Sequence, residues 1–417
     1  MTERIVITGM GAVTSIGLSV NETWQNALKG VSGVAPITLF DTSDFLIKIA
    51  CEVKGFNPEE HIPAKEARHR DRYEQLATVA AKEAIHQAGL ETLSEAQKNR
   101  VGVTVSSAIG GIKSIQDAVI TMIHEGPRRV SPFVIPMLMS NGAAGMLAID
   151  YGFKGPCLSV GSACASGSDG IGLGWMLLRS GVIDVAITGG SEAIITPFGV
   201  SVFDRLGAMS RRSTPDEKGH YQTPQPFDLH RDGLVMGEGA AVLILERESH
   251  AQARGAEILA ELAGYAATAD AYHITAPDED GAGGGRAIRL ALEASGINLD
   301  EVDYINAHGT ATPLNDQSET RAIKTAFGKF AYNIPISSTK SMTGHMMGAT
   351  GALEAIICVK AVCENAMPPT INYQTPDPEC DLDYVPNEAR AKKVNVALSN
   401  AFGFGGHNSV LAVRKYL

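Results

Sequence analysis

The sequence predicts an α/β protein built from two similar halves, on three observations. Short β-branched runs alternate with longer helical stretches along the whole chain, at 4–7, 101–105, 157–160, 184–188, 240–246, 304–306, 335–338 and 394–398. Such alternation is the pattern of strands flanked by helices. Secondly, a unit repeats: CLSVGSAC leads into ASGSDGIGLGWMLLRSG and then DVAITGG, while PISSTK leads through SMTGHMMG into ATGALEAIICVKAV and later to NVALSNAFGFGG. Each copy reads strand, turn bearing reactive side chains, helix, strand. A duplicated unit of this kind brings its two turns to one side of the molecule, where they share one site. Thirdly, no low-complexity linker interrupts the chain, and the polar helix around 247–256 marks the best boundary, giving halves 1–251 and 252–417.

The elements follow in order. The opening TGMGAVT approaches the dinucleotide fingerprint but has Thr14 at the third glycine and no acidic residue about 20 positions on, so it reads as a tight structural turn. Helices are expected over 73–88 and 285–294, the latter preceded by the glycine-rich 282–286. The N-terminal segment has no basic and apolar leader, and no apolar stretch is long enough to span a membrane. With 44% hydrophobic and 19% charged residues in 417, the chain can bury large cores and allows about two or three domains. Its formal charge of −11 and scattered cations argue against nucleic acid. The six cysteines form no CxxC pair and no metal-knuckle spacing, so a reducing cytoplasm is expected, with neither disulfides nor metal.

Three segments carry chemistry. Cys164 sits where an apolar strand ends and a Gly/Ser-rich helix begins, so its sulfur is expected to meet the positive helix end as a favoured thiolate. Cys358 and Cys363 fit helix packing, and Cys51, Cys157 and Cys380 read as structural. His308 and His345 lie on Gly/Thr-rich turns next to strands, with Lys340 upstream and Glu354 downstream of the second. In SNAFGFGGHNS, glycines surround Phe402 and Phe404, which leaves those rings room to gate a ligand. The SxxK at 337–340 lacks the companion motifs of penicillin-binding proteins, and Cys164 lacks the signature of papain-like proteases.

VGSACASG, NAHGTATPLND, STKSMTGHMMGATGALE and SNAFGFGGHN together resemble the signature segments of β-ketoacyl-acyl-carrier-protein synthases of the elongating type II class. ITGMGAVTSIG, AIGG, GPRRVSPFVIP, DLHRDGLVMGEGA, DAYHITAP and PPTINY extend the likeness over nearly the whole chain. The resemblance implies a thiolase-like fold, with two similar halves in a five-layered α-β-α-β-α core, and a cytoplasmic homodimer partnered by acyl carrier protein. The implied reaction is the decarboxylative Claisen condensation of fatty-acid elongation. No cofactor is implied beyond the phosphopantetheine that carries the substrates.

Carried over by position, Cys164 is the acyl acceptor, and His308 and His345 complete a Cys-His-His set supported by Lys340 and Glu354. Backbone N–H groups of Cys164 and Phe404 form the oxyanion hole, and Phe404 also gates the site. Ile109 lines the acyl pocket, Thr310 and Thr312 meet the phosphopantetheine arm, and Asp270 and His273 belong to a neighbouring mobile loop. Arg128 and Arg129 match carrier-docking positions, with Lys65, Arg68, Arg70 and Arg72 as further candidates. Initiating synthases resemble this pattern but have Asn at the second histidine, and chain-length factors lack the nucleophile. Two departures stand out: Gly207 occupies a usually basic docking position, and GSACA replaces the commoner TACT. They keep a polyketide or polyene ketosynthase open, beside a non-catalytic chain-length partner and a cysteine hydrolase.

Overall fold

The computed structural model describes residues 3–417, so the first two residues of the segment in which no leader is expected lie outside it. Nine strands form the principal sheet: β1 (Ile5–Val13), β2 (Val101–Ser106), β3 (Val185–Glu192), β4 (Gly239–Arg247), β5 (Ala260–Ala269), β6 (Tyr304–Asn306), β7 (Ile336–Ser337), β8 (Val396–Gly403) and β9 (His407–Lys415). Their spatial order is β2-β3-β4-β1-β5-β9-β8-β6-β7. Read outward from the middle, the two sides match. β1 is antiparallel to β4 as β5 is to β9, β3 is antiparallel to β4 as β8 is to β9, and β2 lies parallel to β3 as β6 does to β8. Among the described residues, two pairs, Val6 with Glu261 and Ile7 with Ala260, join the halves through the sheet.

Eight helices matter for the site: α1 (Arg72–Ala88), α2 (Ile112–Glu125), α3 (Gly142–Tyr151), α4 (Ser166–Arg179), α5 (Pro197–Arg205), α6 (Ala282–Ser295), α7 (Pro313–Phe327) and α8 (Thr350–Glu364). α1 and α3 cover one outer face, α6 and α7 the other, and α4 packs against α8 between the sheet halves. The result is the expected five-layered arrangement. Ile171, Trp175 and Leu178 of α4 meet Leu353, Ile356 and Ile357 of α8 in the central core. Each such buried side chain contributes about 1.5–3 kcal/mol. This middle layer fixes where the two helix N-termini, and the turns ahead of them, come together.

Local chemistry explains where the observed elements differ from those expected. The TGMGAVT segment is strand, not turn: Gly9 and Gly11 lie within β1, where a Cβ would come 2.2 Å from the Ala84 carbonyl oxygen and 1.9 Å from that of Ala80. Those glycines let α1 lie directly on the sheet. α1 begins at a capping box made by Asp71 and Glu74. The glycine run at 282–285 forms the first turn of α6 instead of preceding it. β5, AELAGYAATA, is a strand despite its alanine content, because it is hydrogen-bonded to β9 along its length and to β1 at one end. Residues 157–160 run beside β2, with the Leu158 N–H donating to the Val103 carbonyl oxygen at 2.9 Å.

Candidate active site

Two turns of the same construction face each other behind the sheet. In the first half a short 3₁₀ turn, Ala163–Ala165, feeds straight into α4; in the second, Met347–Ala349 feeds straight into α8. In each, a residue other than glycine is left-handed: Ala163 has φ 51° and Met347 φ 43°. Such backbone strain, of order 1–3 kcal/mol, persists only where the surroundings enforce it. Glycines press the turns together, since a Cβ on Gly167 or Gly190 would come within 2.6 or 2.4 Å of the Gly348 carbonyl oxygen.

Cys164 is 8% exposed and opens onto a cleft of about 300 Å³. His308, His345, Thr310, Thr312, Asp270, Phe402 and Phe404 line the same cleft. The sulfur and one nitrogen of each histidine lie within 4.8 Å of one another, and the two imidazoles meet edge to face at a 5.3 Å ring separation. His308 follows β6; its backbone N–H and that of Gly309 donate to the Glu319 carboxylate at 2.8 and 2.7 Å. Nδ1 of His345 lies 3.1 Å from the Thr350 hydroxyl at the start of α8. Lys340 Nζ binds Glu354 at 2.5 Å, both fully buried behind the histidines.

The electrostatics of the site follow from burial. Burial, with the Lys340 cation, holds both imidazoles well below the usual histidine range, so they are neutral at pH 7. Burial pushes the Glu354 carboxyl up to about 8 against the pull of Lys340. It also pushes the Cys164 thiol up to about 11, with Lys340 and the Phe404 N–H pulling the other way. The expected resting thiolate is therefore replaced by a thiol, because desolvation outweighs the helix end.

Not every expected residue reaches the cleft. Ile109 is 39% exposed and does not line it, because it lies on the outer side of the Ser107–Gly110 turn. His273 is exposed, its Nδ1 accepting from the Thr275 and Ala276 N–H groups at 3.1 Å, and is likewise outside the lining. Asp270 does line it, accepting from Asn408 at 2.6 Å. Lys65, Arg68, Arg128 and Arg129 are exposed. Arg70 and Arg72 are not available for docking: Arg70 is held by Asp150 at 2.7 Å, and Arg72 by Glu238 at 2.6 Å. Cys157 and Cys363 are exposed instead of packed. Gly207 lies just past α5 with φ 69°, donating to the Asp204 carbonyl oxygen, a left-handed helix end at which glycine is favoured over any basic residue.

Three supporting residues escaped the sequence reading: Glu319, Thr350 and Glu192. Glu192 is fully buried and accepts from the Ser107 hydroxyl and from the Ala108 and Gly348 N–H groups, tying the 107–110 turn to the second reactive turn. Its signal was present, an acidic residue inside the uncharged strand VAITGGSEAIIT.

The family model described as Beta-ketoacyl synthase, N-terminal domain, matches residues 2–251, and Beta-ketoacyl synthase, C-terminal domain, matches 259–374. A 3-oxoacyl-[acyl-carrier-protein] synthase 2 from Synechocystis sp. is 49% identical over 414 residues, covering 99% of this chain and 98% of its own. The enzyme of the same name from Staphylococcus aureus is 48% identical, covering 99% of each. Among solved structures, a type II polyketide ketosynthase in complex with its acyl-carrier protein superposes with a TM-score of 0.91 at 35% identity, covering all of both chains.

Proposed function

This chain belongs to the β-ketoacyl synthase family, and from that membership we propose the division of labour within its cleft. The protein is a condensing acyltransferase of the 3-oxoacyl-carrier-protein synthase kind, acting in fatty-acid elongation. The observation that carries the residue assignment is the meeting of Cys164, His308 and His345, drawn from different halves, within 4.8 Å.

In this reading the Cys164 sulfur attacks the carbonyl of an acyl thioester, and the carrier thiol leaves with a proton replacing the one the cysteine loses. The oxyanion is received by the backbone N–H groups of Cys164 and Phe404. One such fixed donor is typically worth ~10²–10³ in rate. Malonyl thioester then enters and loses CO2, and its developing enolate oxygen accepts hydrogen bonds from His308 and His345. Neutral rings suit that role, because they donate N–H without giving up a proton in the ground state. Nδ1 of His345 meets the Thr350 hydroxyl at 3.1 Å, a contact that holds the ring in place beside the sulfur and the other imidazole. The carbanion attacks the acyl carbonyl, the β-ketoacyl product departs on its carrier, and Cys164 is free again. Lys340 and Glu354 hold the electrostatic field behind the rings, and Thr310 and Thr312 meet the phosphopantetheine arm. Phe402 and Phe404 gate the mouth, beside the loop containing Asp270 and His273. No metal or diffusible cofactor takes part.

The working unit in this reading is a cytoplasmic homodimer that docks an acyl carrier protein on Arg128, Arg129, Lys65 and Arg68. Exposed apolar side chains support the dimer: Ile115, Ile123, Ile135, Ile149 and Leu158 are 44, 68, 63, 76 and 45% exposed. Apolar surface left to solvent in this way suits a partner that covers it. Covering it with a second copy also encloses Ile109 and makes it a wall of the acyl pocket. All six cysteines are free, in keeping with a reducing compartment. Gly207 and the likeness to a polyketide ketosynthase favour, as a second reading, growth of a polyketide or polyene chain on a dedicated carrier.

Intact-protein mass spectrometry after exposure to an acyl-carrier thioester tests the assignment. Addition of one acyl group at Cys164, released as β-ketoacyl-carrier when malonyl-carrier is supplied, is the expected result. Acyl uptake elsewhere, or release as free acid, would overturn it. Supplying fatty-acid and polyketide carriers in competition separates the two pathways.

A further inference from the structure

The three side chains that meet in the cleft also form a ligand set for a soft or borderline metal ion. One sulfur and two imidazole nitrogens lie within 4.8 Å of one another, at the floor of a cavity of about 300 Å³ that opens to solvent. Thiolate and imidazole suit Zn²⁺, whose bonds of ~2.3 Å to sulfur and ~2.0–2.1 Å to nitrogen set neighbouring ligands of a tetrahedron about 3.4–3.6 Å apart. The trio has to contract by about an ångström, a movement within reach of side-chain torsions. Sites with three protein ligands and one open position, filled by water, are the form catalytic zinc takes.

The surroundings favour capture. His345 is oriented through its other nitrogen by Thr350, the kind of outer contact that stiffens a metal ligand, while Glu319 fixes the backbone on which His308 sits. The Lys340 side chain is engaged by Glu354 at 2.5 Å and does not line the cleft. The trio contains no carboxylate, so hard ions such as Mg²⁺ and Ca²⁺ find no oxygen ligands in it.

We infer that Cys164, His308 and His345 form a reversible inhibitory site for Zn²⁺, which binds all three with a water as fourth ligand and blocks acyl loading. The inference rests on the proposed role of Cys164. In the binding step the thiol S–H bond breaks, a zinc–sulfur bond forms, the proton passes to solvent, and no electrons are transferred. Regulation by zinc availability follows without any second site.

The test uses full-length protein with the exposed cysteines removed by Cys157→Ser and Cys363→Ser. Zn²⁺ is expected to slow iodoacetamide labelling of Cys164 at least tenfold, with full recovery on adding EDTA and no protection by Mg²⁺. Titration calorimetry is expected to give one Zn²⁺ per chain, lost once Cys164 is alkylated. His308→Ala or His345→Ala should weaken binding at least ~100-fold, since even outer contacts to metal ligands are worth 10–100-fold. Unchanged labelling of Cys164 with Zn²⁺, or equal affinity in alkylated protein, overturns the inference even if the histidine variants do not fold. The two readings fail separately. Acyl transfer that proceeds undisturbed by Zn²⁺ removes the trap and leaves the function, whereas zinc capture in a protein that never loads an acyl group does the reverse.

Discussion

The two reactive turns share a backbone and divide the chemistry. Matched by their 3₁₀ turns, Ala163–Ala165 and Met347–Ala349, Cys164 in the first half corresponds to Gly348 in the second. The first turn carries a nucleophile and no other ionisable side chain, and its polar equipment is backbone N–H. The second is flanked by His345, Lys340 and Glu354, while its own central residue has no room for a side chain: a Cβ on Gly348 would lie 2.5 Å from the Ala108 nitrogen and 2.7 Å from Glu192. Duplication thus supplies two equivalent frames, and packing decides which of them holds a reactive atom and which holds donors.

The sharpest way to break this comparison is to remove the nucleophile. Cys164→Ala is expected to lower acyl transfer by ~10³-fold or more in a loading assay, because covalent capture has no substitute in the cleft. Next in size is Lys340→Met, which leaves Glu354 buried without its cation. Glu354, already pushed up to about 8, then stays protonated at pH 7, so the cost is that of an unsatisfied buried polar group, about 1–3 kcal/mol, to be read from denaturant unfolding. Gly348→Ala tests whether the second turn can take a side chain at all, and overpacking there is expected to cost about 1–3 kcal/mol. At the small end, Ala163→Gly relieves a left-handed residue that costs about 1–2 kcal/mol but loosens the unfolded chain by about 0.4–1 kcal/mol, so a net gain of no more than about 1.5 kcal/mol is expected, with loading unchanged within a few-fold.

The pH dependence of Cys164 sharpens the contrast further. Only the thiolate reacts with iodoacetamide, and burial holds the thiol near 11. Its labelling rate should therefore climb about tenfold per pH unit from 7 to 9 without levelling. A plateau below pH 8 would mean that the helix end wins over desolvation.

Much of this was legible in the residues, and the exceptions have physical causes. The repeat that predicted two halves is the one that brings Cys164 opposite His345, and periodicity located most of the strands. β5 and β9 went unread: the first is alanine-rich and owes its strand form to its neighbours, and the second is a pairing decided by residues far away in sequence. His273, expected in a loop beside the site, turns back to cap that loop, and Ile109 is 39% exposed in the single chain, where a second copy has not yet covered it. Arg70 and Arg72 looked like free cations because sequence does not reveal that Asp150 and Glu238 fold back onto them. The thiolate expected at Cys164 failed for a related reason, since burial is a property of the assembled fold.

The central claim is that the sulfur performs the first half-reaction and the two rings serve the second. Rapid-quench measurement of acyl loading and of CO2 release in His308→Ala and His345→Ala tests it most directly. Loading within about tenfold of the unmodified protein, with CO2 release reduced ~10²–10³-fold, is the predicted result. Equal losses in both half-reactions would contradict it.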